Sequence, residues 1–408
     1  MQASLSADLP RPDDESQAHS ARCAAHIRKR AAAAGGSLSF AEFMQEALYA
    51  PGLGYYAAGA AKFGASGDFV TAPELSPVFG RVVARACADV LDALGGGDIL
   101  EFGAGSGRLA VDVLRKLALL GRVPERYSIL EVSADLRERQ RALLAEALPH
   151  LASRVRWLDR LPACHRGIVI ANEVLDAFPV ERFRIAGGVQ QLRVGLDGEG
   201  FRWLESPAPP ALKAAVAAIE ADLDRRLEPG FTSEFSPLLE PWIKSVCERL
   251  EAGLVLLFDY GASRRDYYAA GRSAGWLQCH FRHHAHADPL RWPGIQDLSC
   301  WVDFSAAAAA AAATGASIGG FVTQAAFLLA GGLLDEIEGD EVNDRKTAGA
   351  VIKERRPAGT RAQIELASAV KMLTLPGQMG ERFKCLGVAR DLDSLPAAIT
   401  AQDRTHTL

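Results

Sequence analysis

The sequence predicts an α/β protein built on a doubly wound, Rossmann-like parallel sheet. An N-terminal helical and loop extension and an inserted β-meander plus helices complete the fold class. Three observations carry this prediction. From residue 98 onward, short apolar runs alternate with amphipathic stretches, the pattern of β-α units that close into a parallel sheet. The first run leads into a glycine turn, Asp98-Ile99-Leu100-Glu101-Phe102-Gly103-Ala104-Gly105-Ser106-Gly107-Arg108, and then an amphipathic stretch from Leu109 to Leu120. Between residues 172 and 253 the alternation breaks into short alternating runs punctuated by glycine turns, which read as a meander set into the sheet domain.

Taken in order, residues 1–36 read as a disordered or helical N-terminal extension, disordered through about residue 20. Residues 37–97 read as a helical and lid region. Ser39 and Glu42 form a capping box, opening a helix that ends before Ala50-Pro51-Gly52. The stretch from Gly52 to Glu74 is rich in glycine and aromatics and too long for a plain connector. As a lid, its glycines would give mobility while Tyr55, Tyr56 and Phe69 exclude water; an irregular surface loop pinned by its aromatics fits the same pattern. Residues 98–390 form the main domain. Strands are expected at 98–102, 127–131, 154–158 and 167–171, with helices between the first three, and again at Leu254 to Asp259. The insertion, at about 180–250, carries runs at Val180 to Arg184, Gln190 to Leu196 and Phe201 to Leu204, followed by a helix from Ala211 to Leu227. Residues 276–304 read as a long loop dense in histidine and tryptophan. Ser305 to Leu334 is uncharged and reads as a buried helix, a strand and a second helix, with Ser305 as the first cap. Residues 335–370 are charged and helix-permissive, 376–390 form a Gly- and Arg-bearing end, and 391–408 a C-terminal tail.

Composition excludes several classes of function. With 45 basic against 50 acidic residues there is no electrostatic basis for a nucleic-acid partner. The seven cysteines are dispersed without a Cys-x-x-Cys pair, as in reduced thiols rather than a disulfide framework. The uncharged segment is mostly alanine and glycine, too weakly apolar for a membrane span. The first residues lack a charged-then-apolar pattern, and Asp13, Asp14 and Glu15 argue against a transit peptide, so a cytoplasmic location is expected.

The glycine turn separates two kinds of cofactor. A dinucleotide fingerprint needs a small residue three places after its second glycine, and here that place holds Arg108. Gly103, Gly105 and Gly107 after the acid Glu101 suit S-adenosylmethionine (SAM), which has no pyrophosphate for a helix N-terminus to hold. Glu131 ends the second strand, where an acid accepts hydrogen bonds from ribose hydroxyls. Asp159, after the third strand, is placed to meet the adenine amine. The fourth strand runs out into Asn172, Glu173 and Asp176, beyond the carboxyl ends of the strands where ligands of open sheets bind. Two acids three residues apart share a helical face, and a carboxylate pair matches the planar, two-pronged guanidinium of arginine. The same acids would equally stabilise a helix N-terminus. Asp259-Tyr260-Gly261 closes the fifth strand at the same edge and is expected to line the pocket. His280, His283, His284 and His286 follow no metal-ligand spacing, and Arg282 among them repels cations, so no metal site is expected.

These residues together resemble the MidA family of SAM-dependent methyltransferases, whose mitochondrial members act in respiratory complex I assembly. The resemblance rests on Gly67-Asp68-Phe69-Val70-Thr71-Ala72-Pro73-Glu74, the Glu101–Gly107 turn, Leu130-Glu131-Val132-Ser133 and the run from Ala171 to Val180. Asp259-Tyr260-Gly261, Phe281-Arg282-His283-His284, Gln296-Asp297, Val302-Asp303-Phe304 and Met379-Gly380-Glu381-Arg382-Phe383-Lys384 follow in order, so the likeness spans residues 37 to 386. It implies the class I methyltransferase form of the sheet and SAM as cofactor. It adds Asp68 and Thr71 to the cofactor-binding candidates Glu101, Gly103, Gly105, Gly107 and Glu131. The implied activity is symmetric dimethylation of a protein arginine, the acceptor in mitochondrial members being a complex I subunit. Asp297, with the His280–His286 loop, is then expected to form the wall opposite Asn172, Glu173 and Asp176. A neighbouring acid or histidine would take the proton. The turn departs from its relatives at Ala104 and Ser106. A methyltransferase for a small molecule or another protein residue is the alternative within the same chemistry. An assembly chaperone with a vestigial cofactor site is the alternative from another class, and the intact glycine turn and Glu131 count against it. Oligomeric state is left open.

Overall fold

The computed structural model describes residues 9–58, 71–338 and 358–408. Its centre is a sheet of β1 (Asp98–Phe102), β2 (Tyr127–Leu130), β3 (Val155–Leu158), β4 (His165–Asn172), β5 (Leu250–Ala262), β6 (Ser317–Thr323) and β7 (Phe383–Arg390). They lie in the order β6-β7-β5-β4-β1-β2-β3. The strands from β5 through β3 are parallel, and β7 runs antiparallel to both its neighbours. Strand β7 falls where the sequence was read only as a Gly- and Arg-bearing end, and it wedges between β5 and β6 although it comes last in the chain.

The central strands are nearly continuous apolar runs because both faces are covered. Alternate residues point to opposite faces. Ile99, Ile168, Ile170, Leu254, Leu256 and Phe258 pack in one core with the helices Pro77–Leu94 and Arg108–Leu119. Leu100, Phe102, Val169, Val255 and Leu257 pack in another with Leu239–Cys247 and Phe304–Ala312. The sheet is therefore doubly wound, as expected.

The meander forms a second, antiparallel sheet of Glu181–Ile185, Val189–Asp197 and Gly200–Pro207. Two short strands not anticipated, Ser37–Ser39 and Thr232–Phe235, complete it. This sheet shares a core with the N-terminal helices through Ile27, Phe40, Phe43, Phe183, Val194 and Leu212.

Several expectations need correction. Residues 14–20 are not disordered: a helix spans Asp14–Ala33, with the Asp13 side chain accepting from Ser16 N at 2.8 Å and Cys23, Ile27 and Ala31 buried. Residues 276–304 are not a long loop, because Gln278–Phe281 pairs with His284–His286 on one side and Asp297–Ser299 on the other. Ser305 does not cap its helix; the Asp303 carboxylate accepts from Ala306 N at 3.0 Å, and Ser305 lies in the first turn. The terminal residues fold back, burying Ile399 over Gly320 and Gly387. Within 335–370, the described part includes a helix at Ala358–Thr374. Among the described residues no helix is long and apolar enough to cross a membrane.

Candidate active site

From β1 the chain moves outward to β2 and β3, then crosses back to place β4 on the other side of β1. That reversal opens a crevice beyond the carboxyl ends of β1 and β4. A cavity of about 760 Å³ occupies it, within the range of small-molecule sites.

One end is built by the turn after β1. Gly103, Gly105 and Gly107 have φ of 58°, 54° and 86°, in the left-handed region where side chains are strained. A Cβ on Gly103 would also lie 3.2 Å from Val174 Cγ2. Gln140 holds this turn in place. Its Nε2 donates to Gly105 O at 2.9 Å and to Glu131 Oε2 at 3.3 Å, while its Oε1 accepts from Trp157 Nε1 at 2.8 Å. Gln140 was missed in the sequence, where the one signal is an amide on the buried face of the helix Ala134–Ala147. Glu131 is buried, lines the cavity and accepts from Ser133 N at 3.0 Å. Burial also raises its pKa. Glu101 accepts from the Tyr127 hydroxyl at 2.7 Å, and burial pushes its carboxyl up to about 7. Glu74, also missed, receives the Ser106 hydroxyl across the turn. Thr71 lines the cavity beside it; Asp68 and Phe69 lie outside the described residues, as does the lid stretch 59–70.

The other end is built where β4 stops. Glu173 and Asp176 do not share a helical face, and neither supports a helix N-terminus. Glu173 takes a left-handed φ of 54° and the chain turns tightly after it. Asp259 is the cause. Its Oδ2 accepts the backbone N–H groups of Val174, Leu175 and Asp176 at 3.2, 2.8 and 3.2 Å, and its Oδ1 that of Tyr260 at 2.9 Å. Glu173 N donates to Phe258 O at 2.8 Å, tying the same turn to β5.

Asn172 and Glu173 therefore face the cavity, while Asp176, Asp259 and Asp297 are buried and outside its described lining. Asp297 sits behind Tyr56, whose hydroxyl donates to it at 2.8 Å. None of His280 to His286 is among the described lining residues, so the expected histidine wall is replaced by Tyr49, Tyr56 and Gln45. Asp159 is exposed and paired with Arg137 at 2.6 Å, away from the described lining. The Glu173 carboxylate accepts from Asn172 Nδ2 at 3.2 Å and weakly from Ala72 N at 3.4 Å. Burial, then the negative charge of Asp176, pushes Glu173 up to about 8 against those two hydrogen bonds. Burial raises Asp176 well above the ordinary range, reinforced by Asp259 and Asp297. Asn172 Oδ1 is buried with no hydrogen-bond partner among the described residues.

The described lining carries Glu74, Glu101, Glu131 and Glu173 and no lysine, arginine or histidine. Such a wall favours cationic groups. The left-handed glycine turn, the Glu131 carboxylate and the unpartnered Asn172 oxygen fit a SAM-sized molecule with a cationic side chain beside it.

Comparison with known proteins agrees. The family described as S-adenosyl-L-methionine-dependent methyltransferases matches residues 82–322. The zebrafish (Danio rerio) mitochondrial protein arginine methyltransferase NDUFAF7 is 29% identical, over 86% of this chain and 83% of its own. The human (Homo sapiens) protein of that name is 28% identical, over 85% and 79%. A crystal structure from Burkholderia thailandensis, bound to S-adenosyl-homocysteine, is 38% identical and superposes with a TM-score of 0.89, covering 98% of this chain and 100% of that one.

Proposed function

The chain belongs to the SAM-dependent methyltransferase family, and from that premise we propose that it transfers a methyl group to an arginine side chain of a protein. The observation that carries this reading is Glu173, an acid held by a strained turn against a cavity wall that lacks a described cation. SAM is its methyl donor and supplies an electrophilic carbon on a cationic sulfur. The glycine turn, Glu101 and Thr71 would bound that donor, with Asp68 as a further contact and Glu131 on its ribose hydroxyls. Glu173 would hold the guanidinium with one terminal nitrogen turned toward the transferring carbon, and Asn172 Oδ1 would accept one of its N–H groups. Fixing that geometry converts a bimolecular displacement into a positioned one. The positive charge survives methylation, so the carboxylate stabilises acceptor, transition state and product alike, and its gain lies in orientation. Asp176 and Asp297 lie buried behind this wall.

Relatives named as protein arginine methyltransferases support a protein acceptor. A respiratory complex I subunit is the candidate acceptor, and symmetric dimethylation the candidate product, that the MidA resemblance suggests. The reading keeps the cytoplasmic location expected from the sequence, whereas the curated relatives are named as mitochondrial. Glu173→Gln keeps the size and loses the charge pairing. It is expected to bind SAM with wild-type affinity by calorimetry while losing most turnover; normal turnover would refute the role given to Glu173.

A further inference from the structure

The methylated guanidinium stays cationic, so a Glu173 that took the released proton would lose its pairing with the product. Methylation at nitrogen releases one proton, and a second group at the same end that accepts it would leave the Glu173 pairing intact. Glu101 and Glu131 belong to the donor end, and Glu74 receives Ser106 across the glycine turn. Among the described lining residues, two tyrosines remain at the acceptor end, Tyr49 and Tyr56, stacked with ring centroids 5.6 Å apart. Their hydroxyls end differently. Tyr49 donates to the backbone oxygen of Ala177 at 2.9 Å, a neutral carbonyl that has no use for a proton at ordinary pH. Tyr56 donates to Asp297 Oδ1 at 2.8 Å.

We infer that Tyr56 and Asp297 form the proton exit of the methyl-transfer site, with Tyr56 as the catalytic residue at the cavity wall and Asp297 as the buried acceptor behind it. This rests on the proposed transfer to a nitrogen acceptor. The acceptor nitrogen forms a bond to the methyl carbon as the carbon–sulfur bond gives its electron pair to sulfur. The N–H proton passes to Tyr56 Oη while the tyrosine's own proton passes to Asp297 Oδ1. Tyrosine thus ends as it began, and the aspartate ends protonated. No free tyrosinate forms, which matters because burial and the nearby Asp297 charge drive the Tyr56 hydroxyl well above its ordinary pKa. Asp297 is otherwise screened from the cavity, with 4% of its surface exposed, so the hydroxyl links it to the acceptor. Beyond it, antiparallel register sets His280 opposite Asp297 at a part-exposed position.

The test uses the full chain, methyl-tritiated SAM and protein extract from cells lacking this chain as the acceptor pool. Tyr56→Phe retains the ring and its stacking on Tyr49 but breaks the relay. Single-turnover transfer is expected to fall about a hundredfold, the lower range for a lost acid–base group, with SAM affinity by calorimetry within twofold of wild type. The solvent deuterium isotope effect on transfer should change with it, which a purely structural loss would not produce. Asp297→Asn should give the same loss, and the double variant no greater one. Transfer by Tyr56→Phe within threefold of wild type, or losses that multiply in the double variant, would overturn the relay while leaving the methyltransferase reading intact. If Asp297→Asn does not fold, the Tyr56→Phe rate and isotope effect decide alone. Should the wild-type chain label no protein, the acceptor reading fails and the relay with it.

Discussion

Replacing Glu173 with glutamine is expected to make the ligand-free chain more stable, and increasingly so as the pH rises. Glu173 is held up to about 8 from an ordinary value near 4.5, chiefly by burial and then by Asp176. Between those values the folded chain keeps a proton that the unfolded chain has lost. The stability tied to that proton is therefore fully present below about 4.5 and is lost as the pH rises through 8. At about 1.4 kcal/mol per unit of separation, and reduced because the residue is part exposed to the cavity, the loss comes to roughly 2–4 kcal/mol. Glutamine imitates the neutral acid and has no such loss. Urea unfolding of both proteins at intervals from pH 5 to 9, without ligand, measures the difference directly. The two stabilities should converge near pH 5 and separate by roughly 2–4 kcal/mol by pH 9, glutamine being the more stable. Parallel curves, or a less stable Glu173→Gln at pH 9, would refute the claim that Glu173 is a carboxyl waiting for a cation.

Gly105→Val places a β-branched side chain at a φ of 54° beside the cavity, so calorimetry should find SAM binding lost while circular dichroism shows a folded chain; a Kd within threefold of wild type would contradict the cradle. Asp259→Ala strips the acceptor from four backbone N–H groups, at about 1–3 kcal/mol for each one left buried and unpaired. Urea unfolding should show a loss on the order of 4 kcal/mol or more, and a loss below about 0.5 kcal/mol would mean that Asp259 does not hold the turn.

What the sequence disclosed was local. The strand, glycine turn and helix from Asp98 onward are contiguous, so their apolar period and their glycines were readable together. The Ser39–Glu42 capping box likewise closes within three residues. The end of the cavity at Glu173 was misread because its shape comes from far away. Asp259 reaches Leu175 across 84 residues, and without that contact Glu173 and Asp176 look like one face of a helix. The link from Tyr56 to Asp297 spans 241 residues, and no periodicity announces it. Strand β7 was hidden for a related reason: its sequence carries a glycine, Gly387, and its pairing with β5 and β6 depends on segments 60 or more residues earlier. The N-terminal helix is rich in alanine and charge, and only packing of Cys23, Ile27 and Ala31 makes it part of the fold. The histidines drew attention by their number, yet the described cavity wall beside Glu173 is made by tyrosines.

Mass spectrometry of the methylated acceptor bears most directly on the central claim. Protein extract from cells lacking this chain, incubated with the purified chain and deuterated-methyl SAM, should yield peptides carrying the label on arginine nitrogen. The same incubation with Glu173→Gln should leave those peptides almost unlabelled. Label on lysine or on a small molecule, or arginine labelled equally by Glu173→Gln, would contradict the account.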